Sequence, residues 1–186
     1  MKKSILLSIT AAFFLSVAGF GQSSSKLVST KTQIKFFSST PAEDIQAHNT
    51  APVSTIDRGT GEVVFSVPMQ GFEFEKSLMQ KHFNNDNFLD TKAFPEARLK
   101  ARITNLENVD FDTDGSYQAT VEGELTIKGK TNPISENGTV IVAGDVVKVE
   151  SKFDVTLADY GITFVKGKPA SNIAKTVEVT VQAEYR

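Results

Sequence analysis

The stretch Val147 to Leu157 reads VKVESKFDVTL, and its apolar and polar residues alternate along its whole length. Residues at every second position point to the same face of a β-strand, so this pattern predicts a strand with one buried face and one solvated face. Eleven residues at roughly 3.3 Å each span about 36 Å. That length is long for a sandwich strand and suits a tilted strand of a barrel.

The same alternation recurs along most of the chain. Tight turns are predicted at Asp114-Gly115 and Gly144-Asp145, while Asn137-Gly138 predicts a bulge or bend. Closing such a sheet removes its edges, so we predict an all-β fold with one short helix, an antiparallel β-barrel of about eight strands. The other alternating stretches are Ile34–Phe36, Val63–Met69, Leu99–Ile103, Tyr117–Ile127, Val140–Val142 and Val177–Tyr185.

One stretch departs from alternation. From Glu73 to Phe83 the apolar residues fall at helical spacing, which predicts one short helix against the barrel. The segment from Ser38 to Gly61 is rich in polar residues and contains two prolines, so we predict a long loop with local structure there. A second loop is predicted from Asp159 to Asn172. Its Lys166 and Lys168 are either solvated or placed to meet an anionic head group at a barrel mouth.

The inward-facing positions mix bulky and small side chains. An eight-stranded barrel is either filled by its own side chains or has room for one small ligand. Small inward residues leave space that something must occupy, because protein interiors are close-packed. Large partners opposite would fill that space equally well, and the pattern alone is compatible with a filled core or a ligand cavity. The small inward residues are Ala101, Ala119, Gly123, Ser151 and Ala183.

The first residues have the features of a secretory signal peptide. Lys2 and Lys3 precede an apolar run, and small residues follow it up to Gly21, where we predict cleavage. The domains are then a signal peptide over 1–21 and a barrel over 22–186, in a periplasmic or secreted protein. The mature part keeps 18 basic and 22 acidic side chains, a formal charge of −4, and contains no cysteine. This charge argues against a nucleic-acid partner, and no later segment is apolar enough for stable membrane insertion.

Few residues are suited to catalysis or metal binding. The two histidines, His48 and His82, lie 34 positions apart without the spacing of a helical zinc motif. A triad of Ser77, His82 and Asp90 lacks a nucleophile-elbow sequence around the serine. We therefore predict no enzyme activity, no catalytic residue, no metal site and no cofactor.

Several motifs resemble those of the YceI-like family. They are GEVVFSV at 61–67, MQKHF at 79–83, FLD at 88–90, FP at 94–95 and, most specifically, LTIKGKTNPI at 125–134. The resemblance extends from Ile34 to Glu184 and implies a lipocalin-like barrel with a short helix, whose apolar channel holds a polyisoprenoid or another long-chain amphiphile. Many members carry an Arg-Asp pair where this chain has Met79-Gln80, and the ligand's head group is not specified by the motifs.

The resemblance also implies which residues meet the ligand. His82 and the nearby phenylalanines lie beside the channel, whereas the segment from Leu125 to Ile134 is expected to be structural. The chain is then a carrier of a long-chain apolar or amphiphilic lipid; the alternative is a ligand-free barrel acting as an envelope stress or interaction protein. Homodimer formation stays open. The predicted ligand-binding residues are Phe36, Phe65, Val67, Met69, Leu78, Met79, His82, Phe83, Phe88, Phe94, Val121, Phe153 and Val155.

Overall fold

A computed structural model describes residues 25–163 and 174–186. The predicted signal peptide at 1–21 and the loop residues Lys166 and Lys168 lie outside the described residues. The described part contains β-strands, one α-helix and three single turns of 3-10 helix. In chain order the strands and the α-helix are β1 (Lys26–Ser39), β2 (Asp44–Asn49), β3 (Val53–Asp57), β4 (Glu62–Pro68), β5 (Glu73–Phe74), α1 (Ser77–Asn84), β6 (Glu96–Ile103), β7 (Gly115–Ile127), β8 (Lys130–Ala143), β9 (Val146–Thr156) and β10 (Thr176–Tyr185).

Eight of these strands close into an antiparallel barrel. The order around the ring is β1, β3, β4, β6, β7, β8, β9 and β10, and β10 pairs with β1 to complete it. The two remaining strands extend the sheet at one end, with β2 on β1 and β5 on β2. The predicted barrel of about eight strands with one short helix is confirmed.

The hairpins of the barrel follow from turn chemistry. Gly144 has a positive φ of 56° between β8 and β9, so the turn predicted at Gly144-Asp145 is present. Lys128 and Gly129 have positive φ values of 50° and 72° and join β7 to β8. Two consecutive left-handed residues match the twist of the flanking strands, which is why such turns are favoured in tight hairpins.

One predicted turn and one predicted bulge or bend are wrong. No tight hairpin forms at Asp114-Gly115, because β7 starts at Gly115 and residues 104–114 make a long connection from β6. The Asp114 carboxylate instead accepts a hydrogen bond from the Gly144 backbone N–H at 2.8 Å and stabilises the neighbouring hairpin. Asn137-Gly138 forms neither bulge nor bend, since the register between β7 and β8 continues through it without a shift.

The long loop predicted from Ser38 to Gly61 is also wrong, because it contains β2 and β3. Both strands are short and largely polar, and their alternation is therefore weak in the sequence. They form because β1 is long enough to pair with both of them, β3 at its start and β2 at its end. Buried Asn49 stabilises the break between them, since its side chain donates to the Pro68 carbonyl at 2.8 Å and accepts from the Ala51 N–H at 3.0 Å.

The helix is shorter than predicted and starts later. Glu73 and Phe74 form β5 against β2, and α1 begins only at Ser77. Four phenylalanine rings attach the helix to the barrel: Phe83 of α1 lies 5.0 Å from Phe74, 5.5 Å from Phe72 and 5.7 Å from Phe36 between ring centroids. Aromatic pairs at such separations add to the stabilisation from burial.

The two ends of the barrel differ. At the end away from α1, Tyr185 is fully buried and its hydroxyl forms a 2.7 Å hydrogen bond with that of buried Ser54. Val109 and Phe111, from the connection before β7, are also buried and belong to the same core. At the other end the strands meet α1 and the loop that follows it. The barrel is therefore closed at one end and covered by a short helix at the other.

Candidate functional site

An apolar cavity of about 820 Å³ occupies the barrel interior. Its walls include Ile56 and Val140 on the side of the closed end, and Met79 and Phe88 on the side of α1. The strand alternation creates it, because the inward faces of β1, β4, β6, β7, β8, β9 and β10 all contribute side chains. Ligand pockets of proteins typically have volumes of about 300–1,000 Å³ and mostly apolar walls.

Most of the predicted ligand-binding residues line this cavity. The structure brings together residues from β1, β4, α1, β7 and β9, and their contact with a ligand stays a prediction. The predicted residues in the wall are Phe36, Phe65, Val67, Met69, Met79, His82, Phe83, Phe88, Val121, Phe153 and Val155.

Two predicted positions do not line the cavity. Leu78 is 57% exposed on α1, because Phe83 and Met79 take the inward face of this short helix. Phe94 is half-buried and packs over the turn between β7 and β8, so a Cβ added at Gly129 would lie 2.7 Å from its ring. The spacing of apolar residues alone did not distinguish these outer contacts from the inner ones.

The sequence interpretation also missed part of the wall. Leu125, Ile127 and Ile134 line the cavity, although the resemblance gave their segment a structural role. Their positions in the alternation of β7 and β8 were sufficient to find them. Phe72 and Phe74 also line it. Phe72 lies outside every predicted strand and helix, and Phe74 was part of the predicted helix but was not among the predicted ligand-binding residues.

Polar groups of the wall are concentrated at the end that α1 covers. Glu43 and His82 line the cavity there, with Asn85 and Asn87 of the loop after the helix. Glu43 forms an ion pair with Lys76, and the Glu43 carbonyl accepts a hydrogen bond from the Thr40 hydroxyl at 2.9 Å. This polar rim gives the apolar cavity one polar end.

One carboxylate lies away from that rim. Glu136 follows the inward alternation of β8 with Ile134, Gly138 and Val140, and it lines the cavity wall. Burial raises the pKa of Glu136 above its ordinary value, and the negative charge of Asp154 raises it further. Among the described residues Glu136 forms no ion pair, and its side chain is half-buried.

The two histidines do not meet. His48 lies outside the barrel, 3.3 Å from Glu73 between Nε2 and Oε2, whereas exposed His82 is at the cavity rim. Over the described ranges, no three histidine or acidic side chains are grouped closely enough to hold a metal ion. The described helix is also too short to cross a bilayer.

Comparison with known proteins gives a consistent result. Solved structures with the same fold include BcnA of Burkholderia cenocepacia, at 15% identity and a TM-score of 0.67 over 82% of this chain and 95% of that one. A polyisoprenoid binding domain from Saccharophagus degradans, implicated in plant cell wall breakdown, shares 13% identity with a TM-score of 0.71 over 87% and 98% of the two chains. The Campylobacter jejuni YceI protein shares 12%, with a TM-score of 0.56 over 73% and 80%.

No curated protein sequence matches this chain. The YceI-like domain, however, matches residues 11–185, which is nearly the whole length. On that match, and with the barrel, the helix and the apolar cavity in place, the chain belongs to the YceI-like family.

Proposed function

We propose that this protein is a binding protein that holds a long-chain isoprenoid-like or fatty amphiphile in its barrel and catalyses no reaction. The observation that carries the proposal is the apolar cavity of about 820 Å³. The Saccharophagus degradans protein with the same fold is described as a polyisoprenoid binding domain, which supports the same class of ligand. The pattern at 1–21 supports a periplasmic or secreted location.

The apolar walls of the cavity favour an apolar occupant over water. Its lining is mostly aliphatic and aromatic, and apolar cavities tend to stay poorly hydrated. Each Å² of apolar surface removed from water contributes roughly 25 cal/mol. A long apolar chain that lies along these walls therefore stabilises the folded protein by binding to it.

The same kind of estimate favours a long chain over a short one. Each buried CH₂ contributes roughly 0.8 kcal/mol, whereas association costs an estimated 4–15 kcal/mol. A chain of about five carbons therefore gains little net affinity, and about twenty carbons contribute roughly 16 kcal/mol before those costs. Apolar walls distinguish poorly between chains of similar width, so specificity depends on the polar end of the ligand.

Narrowing the channel tests the proposal. Val121 is half-buried on the inner face of β7, and Glu122 is its exposed neighbour on the outer face. We expect Val121→Trp to weaken binding of a fluorescent long-chain fatty acid by at least about tenfold, because the ring occupies space that the chain needs. Glu122→Trp is the matched control and should bind like the wild type. Equal binding by both variants, each folded by circular dichroism, would contradict the proposed channel.

A further inference from the structure

Within the described residues, the barrel wall has a gap in its backbone pairing between β8 and β9. These strands pair only from Gly138 to Ala143 on β8 and from Val146 to Ser151 on β9. The rest of β8 pairs with β7 alone, and the rest of β9 pairs with β10 alone. We call the unpaired stretch, residues 133–137 of β8 and 152–156 of β9, the lateral window.

Local contacts delimit the lateral window at both ends. At one end the Ser151 hydroxyl donates to the Asn137 carbonyl at 2.7 Å, where the ladder stops. At the other end the Asn132 side chain donates to the Asp159 carbonyl at 3.0 Å. Pro133 lies between these points and has no N–H to donate, which suits a strand that is unpaired on one side. The window is therefore specified by the sequence of β8 and by these two bridges.

Glu136 lies in the lateral window and on the cavity wall at once. An ionised carboxylate that is half-buried beside an apolar cavity is only partly hydrated, so a group that pairs with it is favoured there. The other acidic residue of the cavity wall, Glu43, already pairs with Lys76 at the rim. Asp154, on the β9 side of the window, adds a second negative charge near Glu136. The site therefore favours a positive or hydrogen-bond-donating group and disfavours an anion.

We infer that the Glu136 carboxylate at the lateral window binds the polar end of the ligand, and that this end is a hydrogen-bond donor, with an amine preferred over a hydroxyl and a carboxylate rejected. The inference rests on the proposed function, because it assigns the head group of the chain that fills the cavity. Charged hydrogen bonds are roughly twice as strong as neutral ones, which gives the order of preference. Glu136 has a second possible role, because an inward charge at an unpaired strand edge discourages edge-to-edge association between proteins. If Glu136 had that role alone, the protein would show no preference between ligand head groups.

Head-group discrimination tests the inference. Hexadecylamine, hexadecanol and palmitate are titrated, each as monomer, into the wild type, Glu136→Gln and Glu124→Gln. Glu124 is the matched control because it is exposed on the outer face of the neighbouring β7. We expect the wild type to bind the amine most tightly, and Glu136→Gln to lose about tenfold to hundredfold for the amine. The same variant should bind the alcohol slightly less tightly than the wild type, because a neutral amide oxygen is the weaker acceptor, and palmitate at least as well. Glu124→Gln should match the wild type throughout.

The outcomes separate this inference from the proposed function. If all three compounds bind but Glu136→Gln leaves their order unchanged, the inference is wrong and the carrier function stands. Preferred binding of palmitate by the wild type would also overturn the inference. If none of the three compounds binds to folded wild-type protein, the proposed function fails together with the inference.

Discussion

Replacing Phe83 by alanine tests how the helix is attached to the barrel. Phe83 is 7% exposed, and its ring lies within 5.0–5.7 Å of three other phenylalanine rings. Removing a buried phenylalanine side chain costs about 3–5 kcal/mol. We expect the lower end of that range, about 3 kcal/mol, because one side of Phe83 faces the cavity and already lacks packed neighbours.

A loss of about 3 kcal/mol is easy to measure. For a domain of this length it corresponds to a fall in Tm of about 6–12 °C. Urea denaturation of the ligand-free protein gives the change in the free energy of unfolding directly. We also expect weaker binding of long-chain probes, since Phe83 is part of the cavity wall.

The matched control is Leu78→Ala on the same helix. Leu78 is 57% exposed, so its truncation should change the free energy of unfolding by less than about 0.5 kcal/mol. An equal loss in both variants would refute the packing described here, because it would mean that the helix also buries its Leu78 side. A negligible loss in Phe83→Ala would show that the four-ring cluster does not stabilise the fold.

Three further predictions follow from other parts of the barrel. Gly129→Ala should destabilise the protein by more than Gly144→Ala in urea denaturation: both glycines have positive φ, but only a Cβ at position 129 meets a ring at 2.7 Å, whereas position 144 has open space. Tyr185→Phe should cost about 1–3 kcal/mol by the same measurement, because it leaves the buried Ser54 hydroxyl without its partner; the double variant with Ser54→Ala should recover part of that loss. Glu136→Gln should stabilise the ligand-free protein at neutral pH, because a carboxyl group whose pKa is raised in the folded state destabilises the fold where it is ionised. Well below pH 4.5, the ordinary pKa of the group, the carboxyl is neutral and the substitution should bring no gain. A gain in the free energy of unfolding that is independent of pH would contradict this reasoning.

The long strands could be predicted from the sequence because one physical rule governs them. A strand with one buried face must alternate, and the stretch at 147–157 does so without a break. Most of the cavity wall followed from the same alternation. The short strands β2 and β5 could not be predicted in this way, because their pairing with β1 and with each other supplies the stabilisation that their own composition lacks.

The failures at the site have a different cause. Apolar spacing identifies residues that are buried, but it does not say whether they face a cavity or another side chain. Phe94 covers a turn and Leu78 faces outward, although both belong to apolar stretches next to true wall residues. The alternation of β8 is sufficient to place Glu136 on the inward face. Its place at the lateral window, however, depends on where the pairing between β8 and β9 stops. That boundary is a tertiary property.

The most direct test of the central claim is to ask what the barrel contains. The protein would be purified from its own organism, extracted with organic solvent and analysed by mass spectrometry beside a mock purification. We expect a stoichiometric long-chain species that is present only with the protein and carries a donor head group. An empty extract from well-folded protein that also fails to take up long-chain probes would contradict it, and the residues around the cavity would then have to act as ordinary core.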